Sequence, residues 1–368
     1  VNECWLSDRD RYSHEGLYAG DRAIKPLLKK NGAWAEAGWE DAIAFVAGKL
    51  KATGGDELGA LVDPGSSSEE GHLVAKLMHG LGSRNVDHRL RQLDFADDAA
   101  GLGFETPLSA FEMANTFLLV GSNLRHELPL VNLRMRKAWK RGAKVHAINP
   151  VDFDANVEFA SKAILAPAAM VDALLALAKA AIDDGHLADS SELAALLSGT
   201  QADDMARTLF ASLKQSSASM LVFGEAAAMH PQASVLRAAA RFVAKATGSG
   251  YNEVPLGANA VGLSRAGALP GEGGRDARAM LAQPRKAYVL YGAEPPFDFA
   301  DGGAAMQALT AADTVIAFSA FASEQLKAVA DAILPIGLVP EIDATLVNLE
   351  GRVQTAAAGA RLPGEARP

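Results

Sequence analysis

Short apolar runs that end in a glycine-containing turn and lead into an amphipathic helix recur along this chain, and they restrict it to one architecture. Leu58–Val62 reads as a strand, Asp63-Pro64-Gly65 turns it, and Ser66 caps a helix with Glu69 as the capping-box partner. Leu73, Val74, Leu77, Met78 and Leu81 fall at helical spacing and predict that helix's buried stripe. The unit returns with a strand over Thr116–Val120, the turn Gly121-Ser122-Asn123 and a helix over 127–141, Pro129 being tolerated in its first turn. Further strands are predicted at 144–148, 163–165, 220–223, 287–290, 314–318 and 332–334, and further helices at 232–245, 304–310 and 324–329. Such alternation implies parallel sheets covered on both faces, and two series of it imply two doubly wound, Rossmann-like α/β domains. The runs 185–201 and 267–274 lack a core pattern and read as connections.

The chain has 368 residues, of which 49% are hydrophobic, enough to bury two large cores. Lys and Arg number 35 against 44 acidic residues, a net charge of −9, which argues against a nucleic-acid partner. A single cysteine, Cys4, allows neither an internal disulfide nor a four-cysteine iron–sulfur cluster, and points to a reducing compartment. The richest apolar run, 171–182, is interrupted by Asp172 and Lys179 and reads as a buried helix rather than a membrane span. The opening Val1 and the ending Glu365-Ala366-Arg367-Pro368 are expected of a fragment of a longer polypeptide.

In doubly wound sheets ligands sit at the carboxyl ends of strands, where turns present amides and helix N-termini. Here those turns are Asp63-Pro64-Gly65-Ser66, Gly121-Ser122-Asn123, Gly224-Glu225 and Gly292-Ala293-Glu294. Each alone is weak evidence, because glycine serves any tight strand-to-helix turn.

Taken together the segments resemble a known family. GSNLRHELPLVNLRMRKAWKRGAKVHAINP (121–150), ANAVGLSRAGALPG (258–271), YVLYGAEPP (288–296) and the tail ADAILPIGLVPEIDATLVNLEGRVQ (330–354) resemble, in order, the signatures of the molybdopterin oxidoreductases. The tail reads as a buried strand ending at Pro335, then a polar loop at Asn348-Leu349-Glu350-Gly351-Arg352. VNECWLSDRDRYSHEGL (1–17) followed by DRAIKPLLKKNG is similar to one branch: the large peripheral-arm subunit (the G subunit) of NADH-quinone oxidoreductase, respiratory complex I. That resemblance implies a connector over 1–40 from a missing iron–sulfur region, a discontinuous first α/β domain over 41–91 and 285–368, and an inserted second domain over 92–284.

What the resemblance implies about chemistry is mostly loss. Relatives with an additional cluster place a cysteine where this chain has Ser7, and Cys4 is out of register. Catalytic relatives hold molybdenum or tungsten through two pterin dithiolenes and one protein ligand, in a stretch matched by 85–99. Arg89-Leu90-Arg91-Gln92 stands there, Arg91 cannot donate electrons to a metal, and side chains such as Arg91 are expected to fill the cleft. Asp94 is a conceivable substitute ligand, read mainly as solvated. Arg125, Arg134, Arg136 and Arg265 are available to phosphates but read mainly as surface charge. His72 and His79 lie seven apart and read as helix-surface residues, His126-Glu127 begins no metal-binding HExxH, and Ser264 lacks a nucleophile elbow. Asn348, Glu350, Gly351 and Arg352 are expected to close the fold at a vacant site. No catalytic, cofactor-binding or metal residue is therefore assigned.

The implied function is that of a non-catalytic scaffold within a proton-translocating NADH:quinone oxidoreductase. The parent subunit is expected to bind 4Fe–4S and 2Fe–2S clusters upstream of Val1 and to pass electrons from the NADH-oxidising flavin subunit towards quinone. Its partners would be other peripheral-arm subunits, at the cytoplasmic face of a bacterial inner membrane, with no span of its own. The alternatives are a trimmed catalytic molybdopterin oxidoreductase, such as a formate dehydrogenase, and a thiamine-dependent α/β enzyme with similarly glycine-rich loops.

Overall fold

The structure, a computed structural model, describes residues 6–368, so Cys4 lies outside them. Along the chain come α1 (Asp8–Tyr12), β1 (Leu27–Lys30), β2 (Ala33–Glu36), α2 (Trp39–Lys51), β3 (Leu58–Val62), α3 (Ser68–Gly80) and β4 (Asn85–Asp87). Then follow β5 (Thr116–Val120), α4 (Leu124–Glu127), α5 (Pro129–Lys140), β6 (Lys144–Asn149), β7 (Ser161–Ile164), α6 (Pro167–Asp183), α7 (Ser191–Ser198) and α8 (Asp204–Lys214). The next elements are β8 (Ser219–Phe223), α9 (Glu225–Ala228), α10 (Ala233–Thr247), β9 (Gly250–Glu253), α11 (Ala260–Ala266) and α12 (Ala277–Ala282). Last are β10 (Ala287–Tyr291), α13 (Gly302–Thr310), β11 (Thr314–Ser319), α14 (Glu324–Val329), β12 (Ala332–Pro335), β13 (Ala344–Val347) and β14 (Val353–Ala356).

These elements form two compact units. One is inserted, Leu93–Pro255 with the chain up to Arg11; the other is discontinuous, Tyr12–Gln92 with Leu256–Pro368. The expected connector over 1–40 therefore differs from what is seen. β1 and β2 pair across Asn31 and Gly32, at φ 52° and 81°, and extend the discontinuous unit's sheet. Asn-Gly is the dipeptide that a tight hairpin needs. The chain also returns to this unit at Leu256 rather than 285.

In the inserted unit the strand order is β7-β6-β5-β8-β9, all parallel, and it reverses between β5 and β8. In the discontinuous unit the order is β2-β1-β12-β11-β10-β3-β4. Its parallel part runs from β12 to β4 and reverses between β3 and β10; β1 joins β12 antiparallel. The expectation of two doubly wound α/β domains matches both sheets. Strands buried on both faces need continuous apolar runs, and Phe117, Leu118 and Val120 of β5 are each 0% exposed. Such burial stabilises by about 1.5–3 kcal/mol per large side chain.

Three local expectations shift. The helix after β3 is capped by Ser67, not Ser66: Ser67 Oγ accepts the Glu70 amide at 3.2 Å and the Glu70 carboxylate accepts the Ser67 amide at 2.7 Å. Ser66 is still in the turn, its amide donating to Asp63 O at 3.0 Å. The buried face of α3 is Gly71, Val74, Ala75 and Met78, whereas Leu73 and Leu77 are 61% and 41% exposed. The reason is close helix packing: a Cβ on Gly71 would collide with Leu263 of α11, so small residues, not leucines, mark the contact. The run 185–201, expected as a connection, carries α7, capped by Ser190. The run 171–182 is the buried helix α6, as read.

Two substitutions test this account by guanidinium titration. Leu118→Ala should cost the protein about 2–5 kcal/mol. Ser67→Ala should cost about 1 kcal/mol, the usual value of a lost cap.

Candidate functional site

In the inserted unit the reversal point between β5 and β8 is closed by its own backbone. Gly121 has φ 56°, and a Cβ there would stand 2.5 Å from the Ala227 amide nitrogen. A Cβ on Gly224 would collide with Ser122. Gly224 N donates to Val120 O and Ala226 N to Gly121 O, both at 2.9 Å, stitching the two turns together. The amides an anion would use have internal acceptors. Ser122 N donates to Asn149 Oδ1 at 2.9 Å, and Asn149 Nδ2 returns a bond to Ser122 O at 3.0 Å. Asn123 N donates to Glu127 Oε1 at 2.7 Å and Ser122 Oγ to Glu127 Oε2 at 2.8 Å. A carboxylate thus sits where a helix-terminal anion would sit. Burial pushes the Glu127 carboxyl up to about 7, overriding both bonds, with Glu225 adding to the rise.

The discontinuous unit's reversal point, between β3 and β10, is acidic. Asp63 follows β3, its amide donating to Tyr291 O at 2.8 Å and its Oδ2 accepting Gly65 N at 3.0 Å. Gly292, at φ 68°, leaves room for it: a Cβ there would lie 3.1 Å from Asp63 Cβ. Burial, then the nearby Asp298, pushes Asp63 up to about 7. Glu294 is raised by burial and by Asp298, and its Oε1 is buried with no hydrogen-bond partner among the described residues. Asp298 accepts the Glu294 amide at 2.7 Å and is also raised, chiefly by burial.

Beside this point β4 is followed by a neutral histidine, His88. Ser264 Oγ donates to Ala260 O at 2.9 Å, so the His88 ring donates to it from Nε2 at 3.0 Å. Burial lowers His88 to about 4, and its Nδ1 has no partner among the described residues. Asp87 is fully buried and accepts Arg89 Nε, Arg89 Nη2 and the Ala277 amide. The tail folds back onto the same unit through Asn259, itself 0% exposed: its Nδ2 donates to Ser66 O and its Oδ1 accepts Val347 N, each at 2.7 Å. The polar loop of the tail is the hairpin turn between β13 and β14. Asn348 Oδ1 accepts the Glu350 and Arg352 amides, Gly351 takes φ 75°, and Arg265 Nη1 donates to Gly351 O at 2.9 Å.

The sequence profile of the molybdopterin oxidoreductase family matches residues 22–368. The chain belongs to that family. Among curated relatives, it is 33% identical over 146 residues to the G subunit of NADH-quinone oxidoreductase from Rickettsia felis, covering 39% of this chain and 21% of that protein. It is also 33% identical over 158 residues to the F420-dependent formate dehydrogenase 2 subunit alpha of Methanococcus maripaludis, covering 41% of this chain and 23% of that protein. The matched stretch thus spans about a fifth of the length of these relatives. Among solved structures, acetylene hydratase from Pelobacter acetylenicus superposes with a TM-score of 0.72 at 18% identity, covering 98% of this chain and 62% of that one. A chain of the formyltransferase/hydrolase complex from Methylorubrum extorquens superposes with a TM-score of 0.60 at 16% identity, covering 92% and 96%. These likenesses establish the molybdopterin oxidoreductase fold.

The family's cofactor brings diphosphates, which call for cations and open amides. Neither reversal point offers them: one gives its amides to Asn149 and Glu127, and the other gathers Asp63, Glu294 and Asp298. Arg91, expected to fill a cleft, is instead exposed and acts on Asp298 from a distance, lowering its carboxyl. Asp94, expected to be solvated, is 8% exposed; Oδ2 accepts Ser234 N and Oγ at the start of α10, and Oδ1 accepts Ala96 N. Its oxygens are therefore committed, and no group of three or more His, Cys, Asp or Glu among the described residues could hold a metal. Ser7 caps α1, accepting the Asp10 amide at 3.1 Å and donating to the Asp10 carboxylate.

Of the four arginines, Arg134 pairs with Glu112 and Arg265 holds Gly351, while Arg125 and Arg136 share one pocket. His72 and His79 are exposed on α3, as read. Sequence reasoning met Asp63 only as part of a turn, did not single out His88, Asn149 or Asn259, and met Glu127 only as a failed metal motif. The legible signal was a Ser-Asn turn with an acid four residues on, a self-satisfying anion site.

Glu127 gives a pH test. Its folded-state value, about 7, lies above its ordinary 4.5. The stabilisation is thus full below about pH 4.5 and is lost as pH rises through about 7, a change of up to about 3 kcal/mol. Urea titrations at pH 5 and pH 8 should show Glu127→Gln narrowing the stability difference between them, and Asp63→Asn doing the same independently.

Proposed function

We propose that this chain is the molybdopterin-oxidoreductase-like region of the large peripheral-arm subunit of a complex I, acting as a non-catalytic scaffold. The observation that carries the proposal is the closure of the β5–β8 turns, where Glu127 and Asn149 take the hydrogen bonds that a dinucleotide diphosphate would need. Arg91, where a catalytic relative would place its metal ligand, cannot coordinate a metal. The similarity to the NADH-quinone oxidoreductase protein of Rickettsia felis supports the same reading. In it the parent subunit carries 4Fe–4S and 2Fe–2S clusters outside this chain and passes electrons from the flavin subunit towards quinone. This region docks other peripheral-arm subunits at the cytoplasmic face of the membrane; no described helix is long and apolar enough to cross one.

The second reading is a catalytic molybdenum or tungsten bis-pterin oxidoreductase, and the equal identity to a formate dehydrogenase alpha subunit favours it. Elemental analysis of the purified chain, produced in a host supplied with molybdate, tungstate and iron, separates the two. The scaffold reading expects no stoichiometric Mo, W or Fe and no pterin fluorescence after oxidation. Stoichiometric Mo or W with pterin would establish the second reading, and stoichiometric iron would place a cluster in this chain.

A further inference from the structure

We propose that the discontinuous unit carries a pocket for a small organic cation, an ammonium group on an apolar chain, between α3, the C-terminal parts of β10 and β11 and the segment that carries Arg367. The cavity measures ≈ 370 Å³, within the range of about 300–1,000 Å³ common for small-molecule sites. The proposal does not depend on the scaffold reading.

The floor of the cavity is apolar. Val74, Val289, Ile336 and Ile342 are 5%, 0%, 6% and 4% exposed. At the rim Leu73 and Leu77 stand one helical turn apart on α3, 61% and 41% exposed. An apolar chain laid between rim and floor takes these leucines out of water.

Charge decides which end group such a chain carries. Three carboxylates line the cavity, and uncharged donors hold them. Glu70 accepts Tyr291 OH and the Ser67 amide, each at 2.7 Å, Glu69 accepts the Thr345 amide at 3.0 Å, and Asp343 accepts the Ala358 amide at 2.8 Å. Against them stands Arg367, whose guanidinium carbon lies 4.3 Å from the centre of the Trp39 ring. Tyr291 and Phe318, stacked at 5.7 Å, complete an aromatic wall. Aromatic faces beside carboxylates attract a cation and disfavour an anion. The Arg367 backbone is fixed, its amide donating to Pro335 O and its carbonyl accepting the Gly337 amide, both at 3.1 Å, whereas the residue itself is exposed. Arg367 is thus the chain's own cation on that wall, and an ammonium ligand takes its place when the side chain swings out.

The test is isothermal titration calorimetry of the full chain with octyltrimethylammonium, octanol and octanoate, which share an apolar chain and differ in charge. Octyltrimethylammonium should bind one site per chain, about threefold tighter than octanol, the usual worth of a cation on an aromatic face, and about tenfold tighter than octanoate. Arg367→Ala should tighten octyltrimethylammonium and leave octanol unchanged, whereas a site for anions would bind its ligand more weakly. Glu69→Gln combined with Asp343→Asn, each able to keep its backbone hydrogen bond, should narrow the preference over octanoate to about threefold or less at unchanged Tm. Leu77→Gln, at the rim, should weaken all three ligands alike. Absence of saturable binding, more than one site per chain, octanoate binding as tightly as octyltrimethylammonium, weaker ammonium binding by Arg367→Ala, an undiminished charge preference in the double variant, or an unaffected Leu77→Gln would each overturn the proposal.

Discussion

A parallel sheet covered on both faces must end every strand in a turn whose amides find acceptors, because an unpaired amide in a dry interior is costly. The organisation of both units follows from this constraint. At the reversal point of strand order two adjacent turns diverge, and the acceptors there can come from a ligand or from the chain itself. In the inserted unit they come from the chain: Asn149 answers Ser122, and Glu127 answers Asn123. Gly121 and Gly224 then allow the two turns to touch at backbone distance.

The discontinuous unit solves the same problem differently. Its Asp63 satisfies the turn after β3 locally, and Glu294 and Asp298 gather after β10. Burial raises all three carboxyls, and the charge of Asp298 raises Asp63 and Glu294 further. Two doubly wound sheets of one family, in one chain, thus meet the anion-binding convention of their fold with opposite chemistry. One is filled by a built-in carboxyl group and the other gathers three carboxyls, while cationic side chains line the flank formed by α1, α4 and α5.

Much of this fold was legible because strand-turn-helix alternation leaves a strong local mark. β3, β5 and α14 fall where periodicity puts them, with Leu58–Val62, Thr116–Val120 and Glu324–Val329 matching to the residue. Legibility failed where a small residue did the packing. Gly71 turns the contact face of α3 away from Leu73 and Leu77, which instead join Trp39, Tyr291, Phe318 and Ile336 around a cavity of ≈ 370 Å³. It failed again at β1 and β2, short strands at the sheet edge whose alternation was too brief to stand out. The site residues Asn149, Asn259 and His88 were invisible because each acts through a partner far along the chain.

By itself the sequence determined the fold class and the family, since periodicity and ordered signatures are properties of local residue type. Only the tertiary structure decided what the turns do. Whether Glu127 is a surface acid or a buried acceptor, whether Asp94 is solvated or anchors α10, and whether Arg125 and Arg136 stand alone or beside Arg9 depends on contacts between distant segments. Burial and hydrogen-bond partnership are set by those contacts, and they convert the same side chain from surface charge into a functional group.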